Sequence, residues 1–301
     1  MKQTITEVMV RDLACHLMKK AAVALPPQYI RIMEAAYDRE TNPLARVNLK
    51  TMLEAVRVAE EEGRPICQDT GLLYYQLTLG GKVPMEGNLH RALCQAAEKA
   101  TQEVPLRPNA VHPITRMNQG TNCGWGIPYV YYDYAPEADY LEISAIPRGG
   151  GASNQTTFID VPRIGPKVKA MMKGILEAIV NAKIACPPLV VGVCFGGSKD
   201  LAVQAATSAL FRQPTGSPSP DPDARELEIE LFEAANHLNV GPVALGGDTT
   251  VFAVHVEIRG CHTTAAPCAA AFNCWPLRIA TARIYPDGRI EELTHSSGTL
   301  S

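Results

Sequence analysis

Residues 168–212 read VKAMMKGILEAIVNAKIACPPLVVGVCFGGSKDLAVQAATSALFR, and this stretch decides the fold class. Val168, Met171, Met172, Ile175 and Ile179 keep three- and four-residue spacings, so the pattern predicts an amphipathic helix over 168–183. The run 189–195 is apolar at nearly every position, as a buried strand would be. A second helix is expected at about 198–212. Helix, strand and helix in direct succession belong to a domain that mixes both element types. The longest apolar run, Pro187 to Phe195, is far too short to cross a bilayer and carries Gly192. Gly192, Gly196 and Gly197 lie between strand and helix, but their spacing is not G-x-G-x-x-G and no acidic residue closes a strand at the matching distance. Close packing therefore explains them better than a dinucleotide turn.

The same logic extends outward in both directions. Residues 1–62 read as wholly helical. Leu44, Val47, Met52, Val56 and Ala59 form one face, with Arg46, Lys50, Glu54 and Glu60 outside and Gly63 as the stop. A strand is expected over Leu72–Leu79, ending at Gly80-Gly81, and a helix over 88–103 with Asn88 as its cap. Two strands, Tyr129–Tyr134 and Tyr140–Ile146, are separated by five residues and suit a hairpin. Trp125, Tyr129, Tyr131 and Tyr132 read as core and edge residues of these strands. The triple glycine at 149–151 lacks the Gly-Lys-Ser/Thr ending of a nucleotide phosphate loop. Further on come a helix over 222–239, a strand over Val251–Ile258, and two strands at 278–285 and 290–294 around the turn Pro286-Asp287-Gly288. The Pro- and Ser-rich stretch 213–222 is expected to join two helices at the surface. No internal repeat is present. The expected class is α/β (α+β mixed), as a single domain over 1–301. Its helical segment 1–62 precedes a sheet flanked by helices, and site loops lie at element ends.

Composition narrows the function. The chain has 301 residues, 46% of them hydrophobic, and a net charge of −3 from 28 basic and 31 acidic residues. That is ample for a core, and it lacks the basic excess that nucleic acid or an anionic membrane would require. Glu7, Arg11 and Asp12 interrupt the apolar stretch a signal peptide needs, so a soluble cytoplasmic protein is expected. The nine cysteines are an odd number without such a signal, which argues against a disulfide framework. No C-x-x-C pair occurs, which removes zinc ribbons, thioredoxin-like pairs and ferredoxin runs. Any metal site must then be assembled from cysteines far apart in sequence.

Three cysteines sit at element junctions, where a rigid scaffold presents functional groups. Cys67 lies in PICQDTG (65–71), Cys186 in ACPP (185–188) and Cys274 in FNCW (272–275). Cys94 and Cys194 instead lie within apolar periodic runs. For any one of the three alone, a structural thiol is the plainer reading. Three converging thiolates are what a cubane [4Fe–4S] cluster needs if one iron is to stay open as a Lewis acid.

The strings ICQDTG, ACPP and NCWPLR resemble the three cluster-bearing motifs of the class I fumarase and L(+)-tartrate dehydratase family. So do PLRPNAV around Arg107, PRGGGASN at 147–154, and Cys261-His262. The resemblance covers essentially the whole chain. It implies that Cys67, Cys186 and Cys274 hold a [4Fe–4S] cluster with one iron not bound by cysteine. It further implies that Gln68 and Asp69 face a small dicarboxylate, with Asp69 a general acid/base. Arg107 would clamp a carboxylate, Gly150 and Gly151 would offer backbone N–H groups, and His262 would hydrogen-bond the substrate. Each has a plain alternative: Asp69 capping a turn, Arg107 in a surface salt bridge, the glycines in a tight turn, His262 as a satisfied core histidine. The implied activity is a hydro-lyase reaction on a C4 dicarboxylate.

Such enzymes complete the site with further residues, and the chain runs only to Ser301 past the Cys274 motif. A separate β subunit in an α2β2 assembly is therefore expected. GTNCGWGIPYV and NCWPLR are closer to tartrate dehydratase α subunits, whereas Ser153-Asn154 resembles the fumarase loop. The rivals from other classes are an iron–sulfur electron-transfer or sensing protein, and a zinc or cysteine-nucleophile enzyme.

Overall fold

The computed structural model describes residues 4–159 and 167–295, so the outermost parts of the expected 1–301 span and the expected helical start at 1–3 lie outside the described residues. The chain opens with β1 (Ile5–Thr6), α1 (Glu7–Val23), α2 (Pro27–Arg39) and α3 (Pro43–Glu62). It continues through β2 (Leu72–Gly80), β3 (Met85–Glu86), α4 (Leu89–Glu103), β4 (Tyr129–Ala135), β5 (Leu141–Arg148), α5 (Gly150–Ser153) and β6 (Thr157–Ile159). After these come α6 (Lys167–Asn181), β7 (Leu189–Gly196), α7 (Lys199–Ala209), α8 (Pro222–Asn236), β8 (Val251–Arg259), β9 (Cys268–Asn273), β10 (Ala280–Ile284) and β11 (Ile290–Glu292). Helices and strands are interspersed and the sheets mix parallel with antiparallel pairs, as an α/β class requires. No helix among the described residues is long and apolar enough to cross a membrane.

The chain divides into two compact units. The first takes the described parts of Met1–Pro27, Ala55–Gly149 and Arg278–Ser301; the second takes Gln28–Glu54 and the described part of Gly150–Leu277.

The first unit has a five-stranded sheet in the order β11-β10-β5-β2-β4. Leu73, Tyr75 and Leu77 of β2 alternate onto one face, joined by Leu141, Ile143 and Ala145 of β5 and Ala280, Ala282 and Ile284 of β10. Helix α1 covers this face with Val10, Leu13, Ala14, Leu17, Met18 and Ala21, a stripe at three- and four-residue spacing. Ala92, Leu93, Ala96, Ala97 and Ala100 of α4 complete the core. Each large side chain buried here contributes roughly 1.5–3 kcal/mol. The other face of the sheet is polar: Ser144 and Thr281 share a hydrogen bond of 2.9 Å, and Arg283 pairs with Glu142 at 2.8 Å. Both helices start where their caps dictate. The Thr6 hydroxyl accepts from Met9 N, and the Asn88 side chain accepts from Arg91 N, as expected for Asn88.

The expected hairpin of the two tyrosine-rich strands does not form. Strand β2 lies between them, parallel to β4 and antiparallel to β5. The connection 136–140 folds over the end of β2 instead: Gly80 N donates to Tyr140 O, Gly81 N to Ala135 O and Lys82 N to Ala138 O. A Cβ on Gly80 or Gly81 would stand 2.4 Å from Tyr140 O or Pro136 O, so only glycine fits under that loop. Alternation fixes which face a residue takes, not which strand is its neighbour. The edge position suits Tyr129 and Tyr132 of β4, which are exposed.

The second unit has a four-stranded sheet in the order β6-β9-β7-β8. Odd-numbered residues of β7, Leu189, Val191, Val193 and Phe195, meet Met171, Ile175 and Ile179 of α6 and Ala224, Leu231 and Ala235 of α8. The opposite face meets α7, where a Cβ on Gly192 would fall 2.1 Å from Ala206 O. This is the packing role expected for that glycine, and Gly196, with φ +98, likewise lies against Arg259 O. Strand β7 is buried at every position because helices cover both faces. The central apolar strand β9, CAAAFN, was not foreseen; its alanines give weak strand propensity, and burial between β6 and β7 overrides it. The 213–222 stretch does join α7 to α8, but not simply at the surface. Thr215 and Ser219 are buried, Gly216 N donates to His255 Nε2 at 2.9 Å, and Ser219 N donates to Glu228 Oε2 at 2.9 Å.

Candidate active site

In the first unit the turn 65–71 follows α3 and leads into β2. Ile66 N donates to Ala22 O at 3.0 Å, tying the turn to the end of α1. Cys67 is half-buried, Gln68 exposed and Asp69 half-buried, while Thr70 is buried beneath them. Asp69 Oδ1 accepts from Gly71 N at 3.0 Å, so the turn-capping alternative holds for this oxygen. Gly71 has φ +80, and a Cβ there would sit 2.4 Å from the Arg148 backbone. Asp69 Oδ2 stands 2.9 Å from where a Cβ of Gly149 would be, so the carboxylate occupies space that glycine leaves open.

Arg107 belongs to the same unit and to the same cluster of bonds. Its N–H donates to Thr70 Oγ1 at 3.0 Å, and its carbonyl accepts from Asn122 Nδ2 at 2.9 Å. Asn122 is buried and holds a φ of +54, which asparagine tolerates better than most residues. Its Oδ1 accepts from Asn109 N at 2.7 Å and Ala110 N at 3.2 Å, and its Nδ2 also donates to Thr101 of α4 at 3.1 Å. The Arg107 side chain itself is exposed. Backbone and buried amide thus fix the base of Arg107 and leave its guanidinium outside.

Thr70, Asn109, Asn122 and Arg278 were not anticipated as site residues. Arg278 is 1% exposed, its Nη1 donates to Asp69 O at 2.9 Å, and its Nε has no hydrogen-bond partner among the described residues. The sequence signals for two of them lie in motifs already quoted: Asn122 sits inside GTNCGWG and Arg278 ends NCWPLR.

The second unit holds Cys186, Cys274, Gly150, Gly151 and His262. Cys186 closes a 3-10 turn, Ala182–Ala185, in the left-handed conformation at φ 56, and is exposed. Cys274 follows β9 and is half-buried at the edge of that unit's core. Trp275 N donates to Cys186 O at 3.1 Å, so these two cysteine loops are joined through the backbone. Val243 N donates to Pro187 O at 2.8 Å and Tyr29 Oη to Trp275 O at 2.7 Å, which brace the pair from either side. Gly150 and Gly151 open the one-turn helix α5; a Cβ on Gly151 would lie 3.2 Å from Ile184 O, whereas one on Gly150 would meet only ordinary contact.

His262 is exposed, which removes the core-histidine alternative. Its Nδ1 accepts from Thr264 N at 3.3 Å, so the neutral ring carries its proton on Nε2.

Thiol chemistry separates the cysteines. Burial pushes the Cys194 thiol up to about 11 and the Cys268 thiol up to about 12, and raises Cys15 as well; these are core residues. Cys67, Cys186 and Cys274 are neither buried nor in disulfides. Thiols of this exposure on loops braced by backbone bonds fit the ligand set of an iron–sulfur group. Among the described residues no group of three or more His, Cys, Asp or Glu forms a ready cage for a single metal ion.

Comparison with known proteins gives the family. The profile of the family described as fumarate hydratase (Fumerase) matches residues 11–283. A provisionally named L(+)-tartrate dehydratase subunit alpha of Methanocaldococcus jannaschii is 35% identical over 285 residues, covering 93% of this chain and 99% of that one. The L(+)-tartrate dehydratase subunit alpha of Escherichia coli strain UTI89 is 33% identical, and that of strain K12 32%, each over 96% of this chain and 95% of theirs. Matches spanning nearly full length on both sides leave the same conclusion as the motif order: the chain belongs to the fumarate hydratase (Fumerase) family of hydro-lyases.

Proposed function

We propose that this chain is the cluster-bearing α subunit of a hydro-lyase that dehydrates a four-carbon hydroxydicarboxylate, with L(+)-tartrate to oxaloacetate plus water as the favoured reaction. The observation that carries this reading is the match along nearly the whole chain to subunits named for L(+)-tartrate dehydratase. A second reading, hydration of fumarate to malate, is supported by the family's own description and by Ser153-Asn154 in the 147–154 loop.

Cys67, Cys186 and Cys274 are the proposed thiolate donors to a [4Fe–4S] cluster. When bound, such a cluster supplies a Lewis-acidic iron for a substrate hydroxyl. The chain's own residues do the rest. Arg107, with its base fixed and its guanidinium outside, grips one carboxylate in bidentate fashion. The N–H groups of Gly150 and Gly151 donate to the second carboxylate and offset the charge that builds there as a proton leaves the adjacent carbon. Asp69, whose Oδ1 is oriented by Gly71 N, moves that proton. Gln68 lies exposed beside it and orients the substrate. His262 presents Nε2–H to a substrate oxygen, since Thr264 holds its other nitrogen. A β subunit, in an α2β2 assembly, supplies the remaining groups; the relatives' names describe alpha subunits.

The test is anaerobic cluster reconstitution with a β-type partner, followed by parallel assays of L-tartrate, D-tartrate, malate and fumarate. L-tartrate should turn over fastest. Cys186→Ala should lose bound iron and at least on the order of 10³-fold in turnover, a barrier change of several kcal/mol, while Cys194→Ala keeps both. Wild-type iron content in Cys186→Ala, or a loaded enzyme inert toward all four acids, would sink the proposal.

A further inference from the structure

Three strands of the first unit meet at one end of its sheet. Leu72 at the start of β2 stands opposite Arg148 at the end of β5, and Ala280 at the start of β10 stands opposite Ala145. The residues just beyond those strand ends, Asp69, Gly149 and Arg278, are therefore delivered to one place by the register of the sheet. The distances bear this out. A Cβ on Gly149 would lie 2.9 Å from Asp69 Oδ2 and 3.7 Å from Arg278 Nη2. Arg278 Nη1 donates to the Asp69 carbonyl at 2.9 Å, and Asp69 Oδ1 accepts from Gly71 N at 3.0 Å. The backbone and the carboxylate of Asp69 are thus gripped separately, and Oδ2 occupies the space that Gly149 leaves open.

Stability does not account for either neighbour of Asp69. Arg278 is 1% exposed and its Nε has no hydrogen-bond partner among the described residues. A guanidinium buried with an N–H unmet costs stability rather than adding it. Gly149 does not hold the left-handed φ that favours glycine, so it is the missing side chain, not the backbone, that matters there.

We propose that Arg278 and Gly149 are positioning residues for Asp69. Arg278 holds the peptide that carries the carboxylate, and Gly149 leaves room for Oδ2, so this oxygen is presented to the substrate in one orientation. The inference rests on Asp69 as the proton-transfer group of the function proposed above. Taking a proton from carbon demands close, aligned approach, and a displacement of about 1 Å can cost on the order of 10²-fold in rate. Loss of aim therefore lowers kcat, while the carboxylate grip of Arg107 preserves KM.

The experiment compares wild type, Arg278→Met, Arg278→Lys and Gly149→Ala, each as the purified full chain and after anaerobic reconstitution with a β-type partner. In the purified chain, hydrogen exchange at Gly71, whose N–H is held by Asp69 Oδ1, reads the aim of the carboxylate directly. It should quicken by on the order of 10-fold in Arg278→Met and Gly149→Ala, with exchange at Tyr75 inside β2 unchanged. In loaded enzyme of wild-type iron content, kcat should fall by on the order of 10²-fold in Arg278→Met while KM stays within about twofold. Arg278→Lys, which keeps a donor for the Asp69 carbonyl, should recover part of both changes. Unchanged exchange at Gly71, unchanged kcat, or a KM that rises as kcat falls would overturn the assignment. Should Arg278→Met unfold, shown by fast exchange at Tyr75, Gly149→Ala decides, because its Cβ displaces Oδ2 yet meets Arg278 only at ordinary contact distance. The exchange arm needs no turnover. A wild type inert toward all four acids would overturn the proposed function and leave exchange at Gly71 to decide whether Arg278 and Gly149 set the position of Asp69.

Discussion

The two units hold their site loops by different means. In the first, side chains do the holding: Thr70 and Asn122 fix the backbone of Arg107, and Arg278 fixes the carbonyl of Asp69. In the second, backbone bonds and apolar packing do it: Trp275 N to Cys186 O, Val243 N to Pro187 O, and β9, buried at every position, running into Cys274. The sheets differ in the same sense. The first unit's sheet is covered by helices on one face and is polar on the other, whereas β7 of the second is buried on both. A loop held by one amide is vulnerable to one substitution. A loop held by main chain and a two-sided core fails only when that core fails.

The largest expected effect tests the core of the second unit. His255 is 0% exposed, with Nδ1–H donating to Ala209 O at 2.9 Å and Nε2 accepting from Gly216 N. Burial, helped by the Arg212 charge, depresses its pKa to about 4. Above the unfolded value of 6.5 neither state binds the proton, and its contribution to stability is intact. As pH falls from 6.5 toward 4 the unfolded chain binds the proton and the folded chain does not, so up to about 3 kcal/mol is lost. Urea unfolding at pH 7.5 and pH 4.5, for wild type and His255→Asn, should show that loss only where the histidine is present. An equal loss in both would mean that this core is not what acid attacks.

Next in size is Asn122→Ala in the first unit. It removes four hydrogen bonds and leaves buried partners behind, at a cost of about 2–3 kcal/mol. Because Arg107 loses its anchor, KM for the dicarboxylate should rise by roughly tenfold with a smaller change in kcat. Steady-state kinetics of the loaded enzyme with its partner checks this. A change in stability with KM untouched would show that the side-chain clamp shapes the unit without positioning Arg107.

The smallest effect calibrates the other two. Asp221 Oδ1 caps α8, accepting from Asp223 N at 2.9 Å and Ala224 N at 3.1 Å. Asp221→Ala should cost about 1 kcal/mol in denaturant midpoint and nothing in KM. If it moved KM, distant stability loss alone would account for part of the Asn122 effect, and the contrast between the units would weaken.

Legibility in the sequence followed the range of the forces. Asn88 as a cap and the three-and-four spacing of α6 act within a few residues, and both stand where periodicity places them, except that Val168, at the first turn of the expected face, is exposed. Gly192 was readable as a packing glycine because no phosphate-loop spacing surrounds it. The β4–β5 hairpin was misread because a five-residue gap says nothing of a strand made fifty residues earlier coming between. Asn122 and Arg278 were missed for the same reason: each acts on a partner distant in sequence, Arg278 on Asp69 across 209 residues.

By itself, then, the sequence determined the mixed helix–strand class, the absence of C-x-x-C pairs, and the three junction cysteines with their flanking motifs. These depend on local geometry and on residue chemistry that no fold can change. Tertiary structure alone decided the strand order, the one-sided and two-sided sheets, and that Cys268 belongs to the core. The apolar run around Cys194 already marks it as a buried thiol, whereas Cys268 carries no such local mark; burial raises its thiol to about 12 while Cys186 stays exposed. Desolvation is a property of what surrounds a group, and the surroundings come from elements far along the chain.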